Sequence, residues 1–266
     1  NNSKKIVLIG DSHAEALAFM LNEEIKKKEL SLFRFRTPLY LSNFNRIDKK
    51  TKKIYKNFRE SNIKIDNFLK DNSDLIIILS HRWTIRLVET FYDNKEGIKE
   101  RGNLTSEYES KYEPINIKTV SLIERQKYLK EGLISQIDKI INQGHKLILV
   151  YPVPEMGFYV PALFKNNFYK LKTLNNFQIP ILDGSYKVFK NRNKIILEIF
   201  DNLENPNIYK VYPHKLFCDT IVKSRCIAND KKNIFYRDGD HLSIKGSKLV
   251  VDEIMKEIEK IELKKN

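Results

Sequence analysis

The sequence predicts an α/β fold: a three-layer α/β/α sandwich around a central, mainly parallel five-stranded sheet, with irregular insertions. Two patterns carry that expectation. Five short apolar runs, at residues 5–9, 32–36, 75–79, 146–151 and 179–183, read as buried strands. Between them lie stretches with apolar residues at helical spacing, and strands that alternate with helices build a parallel sheet covered on both faces. At 266 residues the chain is long enough to bury roughly three quarters of its unfolded surface, so it needs neither a structural metal nor a dense disulfide framework.

The first run, Ile6-Val7-Leu8-Ile9, ends on Gly10-Asp11-Ser12-His13. After it, Ala14, Leu17, Ala18, Leu21 and Ile25 have the spacing of one helical face. Ser12 is thereby placed at a strand-to-helix turn, where a nucleophile gains the positive end of a helix and free backbone N–H groups. The third and fourth runs lead into Ser80-His81-Arg82-Trp83 and residues 151–157. Ligands bind beyond the carboxyl ends of parallel strands, so all three segments are expected at one end of the sheet. A helix with Leu122, Leu129, Leu133, Ile137 and Ile140 on one face stops at Gly144. The last helix opens after Ser243, an N-capping residue type, and turns Val250, Val251, Ile254, Ile258 and Ile261 inward. Residues 93–113 are polar and charged and read as a surface insertion. The irregular stretch 187–235, which holds both cysteines, reads the same way. Residues 1–266 are otherwise expected to form a single domain, and a first strand so close to the N-terminus reads as a mature or excised piece of something longer.

A net charge of +14 raises the question of nucleic acid. The lysines are spread along the whole chain and no recognised binding motif accompanies them, so nucleic acid is not expected as a partner. An anionic glycan or a membrane surface would be attracted by the same field. No run of about 18 apolar residues is present, and no signal peptide is recognised.

Near the C-terminus, Asp238-Gly239-Asp240-His241 supplies an Asp and a His three residues apart, close enough for both side chains to face one pocket. With Ser12, these make the set that acyl transfer requires: a hydroxyl, a base, and an acid that orients the base. Each motif also has a plainer reading. Asp11 or Ser12 serves equally well as a helix cap. A calcium loop on Asp238 and Asp240 lacks its remaining oxygen ligands, and Cys218, Cys226, His214 and His241 do not complete a zinc set. No metal and no cofactor are expected. Cys218 and Cys226 are either two free thiols or a disulfide whose small loop would contribute roughly 2.5 kcal/mol.

These residues reach a resemblance. Gly10-Asp11-Ser12 and Asp238-x-x-His241 resemble the first and last blocks of the SGNH (GDSL-like) hydrolase superfamily, whose fold is flavodoxin-like. Ile76 to Trp83, Pro152 to Phe158, the cysteine pair and Tyr236 to Ser243 follow in an order similar to one branch of it, the SGNH domain fused to membrane acyltransferases of family three. That branch O-acetylates bacterial cell-surface glycans. The resemblance implies a serine-dependent O-acetyltransferase acting on lipopolysaccharide or a related envelope glycan, an anionic or neutral acceptor, the alternative being a carbohydrate acetyl-esterase with the same residues. It implies an integral-membrane acyltransferase domain as partner, in the same parent polypeptide, that delivers acetyl from the cytoplasmic side. It also implies a periplasmic location, tethered to the inner membrane by an N-terminal membrane domain, which agrees with a Cys218–Cys226 disulfide.

Carried over residue by residue, Ser12 is the nucleophile, His241 the base and Asp238 the orienting acid, with Asp240 the rival acid. The oxyanion hole departs from the superfamily. Its usual glycine and asparagine are absent from Arg36-Thr37-Pro38-Leu39-Tyr40 and Ser80-His81-Arg82-Trp83. Asp11, Arg82, Trp83, Pro154 and Glu155 are the candidates for oxyanion or substrate contacts. Arg82 reads either as a replacement donor or as a structural salt bridge, and Trp83 either as a site wall or as core. Pro154 and Glu155 read as the rim of the cleft. His13, beside the nucleophile, is expected to point away from it.

Overall fold

The computed structural model describes residues 5–97, 107–118, 121–172 and 180–264. Its frame is a five-stranded parallel sheet built from β1 (Lys5–Gly10), β2 (Ser31–Arg36), β4 (Ile76–Ser80), β6 (Lys146–Val150) and β8 (Ile208–Val211). The remaining strands are β3 (Phe44–Asp48), β5 (Ser110–Pro114), β7 (Asp183–Ser185) and β9 (Arg225–Ile227). The helices are α1 (Ser12–Lys26), α2 (Lys56–Lys70), α3 (Trp83–Val88), α4 (Leu122–Asn142), α5 (Val160–Lys172), α6 (Tyr186–Asp201), α7 (Pro213–Phe217) and α8 (Ile244–Leu263).

Strand residues alternate between two cores, as the period of two in a strand requires. Ile6, Leu8, Ile76, Ile78, Ile148 and Val150 face α1 and α8. Val7, Ile9, Ile77, Leu79, Leu147 and Leu149 face α2, α4 and part of α6. Sheets covered on both sides select strands that are apolar at every position, which is why the central strands read as unbroken runs. The α/β/α sandwich is the predicted one. The order β2-β1-β4-β6-β8 reverses direction at β1, so the crevice between the carboxyl ends of β1 and β4 is the topological switch point.

Two expectations are corrected. The fifth strand is β8, not residues 179–183. Of those five, Ile179 lies outside the described residues, and Asp183 opens β7, a short antiparallel partner of β9. Pro180 has no N–H to give a sheet ladder. The real strand is an edge strand with one neighbour, so it needs only alternate burial and carries Lys210 without penalty. The stretch 187–235 is likewise no surface insertion. It contains most of α6, which buries Phe189, Ile196, Ile199 and Phe200, and all of β8. Lysines and asparagines between those positions hid the helical period. Of residues 93–113, 98–106 lie outside the description, and Ser110–Pro114 pairs antiparallel with β3 and buries Tyr112 completely.

The helix ends follow local chemistry. Asp11 caps α1, Ser243 caps α8 through Gly246 N–H, and Ser121 forms a reciprocal capping box with Glu124. Leu122, placed by its spacing on the inner face, sits in the first turn of α4 and is exposed instead. Among the described residues no helix is long and apolar enough to cross a membrane. Cys218 and Cys226 form a disulfide that ties the end of α7 to β9. Replacing both by serine should cost about 2.5 kcal/mol, read as a lower urea midpoint at unchanged slope.

Candidate active site

The switch-point crevice is where the two short motifs meet. Gly10 ends β1 in register with Ser80 of β4, so Ser12 emerges at the carboxyl edge of the sheet as the first residue of α1. Its Oγ lies 2.7 Å from His241 Nε2, and His241 Nδ1 lies 2.8 Å from Asp238 Oδ2. An ionised carboxylate only accepts, so Nδ1 carries the proton toward Asp238 and Nε2 is left to accept from the Ser12 hydroxyl. The loop before α8 fixes this arrangement locally. Asp238 Oδ1 accepts the backbone N–H groups of Asp240 and His241 at 3.0 and 2.7 Å, an Asx turn that aims the other oxygen at the imidazole.

Burial acts to lower the His241 pKa, but the hydrogen bond to Asp238 and the charges of Asp240 and Asp238 outweigh it, and the net shift is upward. Asp238 moves the other way. Burial would raise it, yet the His241 hydrogen bond and two backbone N–H donors hold it below the usual carboxylate range. A base raised and an acid lowered leave the proton between them on His241.

Asp240 stands farther from the base, with Oδ1 3.5 Å from His241 Nδ1. Its other oxygen binds His13 Nε2 at 3.1 Å and Arg82 Nη1 at 3.0 Å. Arg82 Nε is hydrogen-bonded to Glu155, and Arg192 Nε approaches the same carboxylate at 3.5 Å. Asp11 accepts from the backbone N–H of His13 and Arg82 and from Arg86 Nη2. Those donors and the nearby cations overcome the desolvation of Asp11 and lower its pKa.

The candidate contact residues therefore divide. Arg82 is engaged by Glu155 and Asp240, which is the salt-bridge reading of that residue. Asp11 is a buried cap. Trp83 is 2 % exposed and donates its indole N–H to Val150 O, so it is core and not a wall of the site. Pro154 and Glu155 are buried as well, and Glu155 braces arginines from beneath instead of forming a rim. His13 turns its Nε2 onto Asp240 Oδ2, with its ring edge-on to that of His241 at 5.3 Å. His81 is fully buried between Asp11 and Trp83, and burial pushes its pKa down to about 4.

For an oxyanion, the Ser12 N–H is at hand, because the first N–H groups of a helix have no partner within it and the Asp11 cap engages that of His13. In the two strand-end segments three positions offer no free N–H. Thr37 N–H bonds Gly10 O at 2.8 Å, Pro38 has no N–H, and Arg82 N–H is on Asp11. Sequence reasoning missed Arg86 and Arg192. The one signal for Arg86 was its place a helical turn after Arg82, beside Trp83, Ile85, Leu87 and Val88; Arg192 carried none.

A serine hydroxyl at a helix N-terminus, hydrogen-bonded to a His–Asp pair at the carboxyl edge of a parallel sheet, has the geometry that serine-dependent acyl transfer requires. The family model for the SGNH domain (fused to AT3 domains) matches residues 1–256, and the chain belongs to that family. Among solved structures it is similar to the periplasmic domain of the lipopolysaccharide acetyltransferase of Salmonella ser. Paratyphi A. The two are 17% identical with a TM-score of 0.58 over 97% of this chain and 84% of that one, a likeness of fold. It is also similar to a Bacteroides fragilis NCTC 9343 protein assigned as an acylhydrolase, at 11% identity and a TM-score of 0.43, over 98% and 89% of the two chains. No curated protein matches it at a significant level.

Proposed function

We propose that this chain is an O-acetyltransferase domain, folding as one unit over its length, that passes an acetyl group through acetyl-Ser12 to a hydroxyl of a bacterial envelope glycan. The observation that carries the reading is the continuous Ser12–His241–Asp238 relay, at 2.7 and 2.8 Å. In the first half-reaction Ser12 Oγ attacks the donor's acetyl carbonyl while His241 Nε2 takes the hydroxyl proton. The tetrahedral intermediate collapses, and His241 returns that proton to the departing group. In the second half His241 takes the proton of the glycan hydroxyl, whose oxygen attacks acetyl-Ser12, and Ser12 leaves with the proton back on its Oγ. Asp238 holds the imidazole tautomer and stabilises its cation throughout.

A family defined by fusion to AT3 domains supports a membrane acyltransferase domain as the acetyl supplier. The disulfide supports an oxidising compartment, and hence the periplasmic side of the inner membrane. A formal charge of +14 suits an acidic acceptor. The test has two stages. A fluorophosphonate probe should label the parent chain at Ser12 and leave Ser12→Ala unlabelled; labelling that survives in Ser12→Ala would remove Ser12 from the chemistry. With an activated acetyl ester as donor, added glycan should then divert acetyl from water to sugar. Equal acetyl release with and without glycan would instead make the domain an acetyl-esterase.

A further inference from the structure

His241 stands between two carboxylates, Asp238 at 2.8 Å and Asp240 at 3.5 Å from the same ring nitrogen. Both negative charges favour the imidazolium, and an imidazolium cannot take the Ser12 proton. Asp240 is not free to close the remaining distance. Its Oδ2 is held by Arg82 Nη1 and His13 Nε2, and its side chain is 6% exposed. Since a carboxylate cannot donate, His13 must present Nε2–H to it. Arg82 is in turn fixed from below by Glu155, and its own backbone N–H by Asp11.

Four packed elements present charged or titratable groups toward the base. Its own loop offers Asp238, Asp240 and Arg237; α1 offers Ser12 and His13, whose ring lies edge-on at 5.3 Å; the turn between β4 and α3 offers Arg82; and the segment after β6 offers Glu155 behind it. Two of these are permanent cations. The Arg237 side chain is 57% exposed and screened by solvent, whereas that of Arg82 is 14% exposed. Arg82 is the effective counter-charge to Asp240.

We propose that Arg82 and His13 are positioning residues that hold Asp240 off the base, so that His241 has one close carboxylate instead of two and stays able to deprotonate Ser12. The proposal rests on the acyl-transfer reading above for its purpose, and on geometry for its substance. It makes opposite demands on two neighbours in one network. Removing Arg82 unmasks the Asp240 charge, while removing that charge relieves the base.

The experiment follows the imidazole of His241 by NMR titration in the full chain, alongside the pH profile of 4-nitrophenyl acetate turnover. Arg82→Gln should move the His241 titration and the acid limb of kcat/KM up by about one pH unit, and Asp240→Asn should move both down by about as much. His13→Ala should shift them in the same direction as Arg82→Gln, by less. The double variant Arg82→Gln/Asp240→Asn should return near the parent value. Asp240→Asn is isosteric and carries the test alone if Arg82→Gln does not fold. A network that is merely structural would lower kcat with the titration unmoved, and that outcome, or a shift of the same sign in Arg82→Gln and Asp240→Asn, overturns the proposal. A parent chain inert toward esters whose His241 titration still shifts in opposite senses would sink the acyl-transfer reading and leave the positioning intact.

Discussion

Replacing His241 by alanine should lower acyl transfer at least about a thousandfold while leaving the fold in place. The expected chemical loss is large because, among the described residues, His241 is the one imidazole hydrogen-bonded to the Ser12 hydroxyl, while His13 is turned onto Asp240. The structural loss is small because the His241 side chain is 18% exposed, and its removal leaves Asp238 partly solvated and still bonded to two backbone N–H groups. Asp238→Asn should be nearly as damaging for a different reason. An amide can donate to Nδ1, which selects the tautomer whose Nε2–H faces Ser12 and cannot accept its proton. A His241 that takes the Ser12 proton must be neutral, and its pKa is raised above the ordinary 6.5 by the Asp238 hydrogen bond and the charges of Asp240 and Asp238 against the effect of burial. The rate should therefore rise with pH through that raised value, and at pH 6.5 more than half of the molecules should be idle. Steady-state kcat/KM from pH 5 to 9 and circular dichroism of both variants check these statements. A His241→Ala variant that keeps a tenth of parental turnover would remove His241 as the base.

What the sequence could disclose follows from how local each feature is. The two central strands flanking the site are buried on both faces, so each reads as an unbroken apolar run, Ile6–Ile9 and Ile76–Leu79. Ser12 and Asp238 depend on a helix cap and an Asx turn, each specified within four residues. Edge strand β8 and helix α6 were hidden because their burial is partial and their exposed positions are lysine and asparagine. The network under the base was hidden for a topological reason. His13 and Asp240 are 227 residues apart and Arg82 and Glu155 are 73 apart, so only the folded sheet brings them together. Single residues in that network look like unrelated charges. Arg82 read equally as an oxyanion donor or a salt bridge until Glu155 and Asp240 were placed against it.

Gly10→Ala should be the most destabilising single methyl group that can be added at this site. A Cβ at Gly10 would lie 1.8 Å from the backbone oxygen of Ser80 and 2.5 Å from Ala14 Cβ. Neither neighbour can turn aside. Ser80 O belongs to the paired strand β4, and Ala14 sits in the first turn of α1, packed in the core. Relief requires β1 and β4 to part at their carboxyl ends or α1 to slide along its axis. Overpacking against flexible side chains costs about 1–3 kcal/mol, so a clash with backbone should reach at least the upper end of that range. In a chain of this size, about 3 kcal/mol corresponds to a Tm lower by about 5 °C. The same displacement acts on function, because Ser12 is two residues along and its 2.7 Å contact with His241 is set by where β1 delivers it. A variant that still folds below its lowered Tm should therefore lose kcat as well, with KM for a small ester little changed. Thermal melts paired with turnover at 15 °C separate the two effects. Parental Tm in Gly10→Ala would mean that the strands yield freely at the switch point, and the close approach of β1 to β4 would then not be what places the serine.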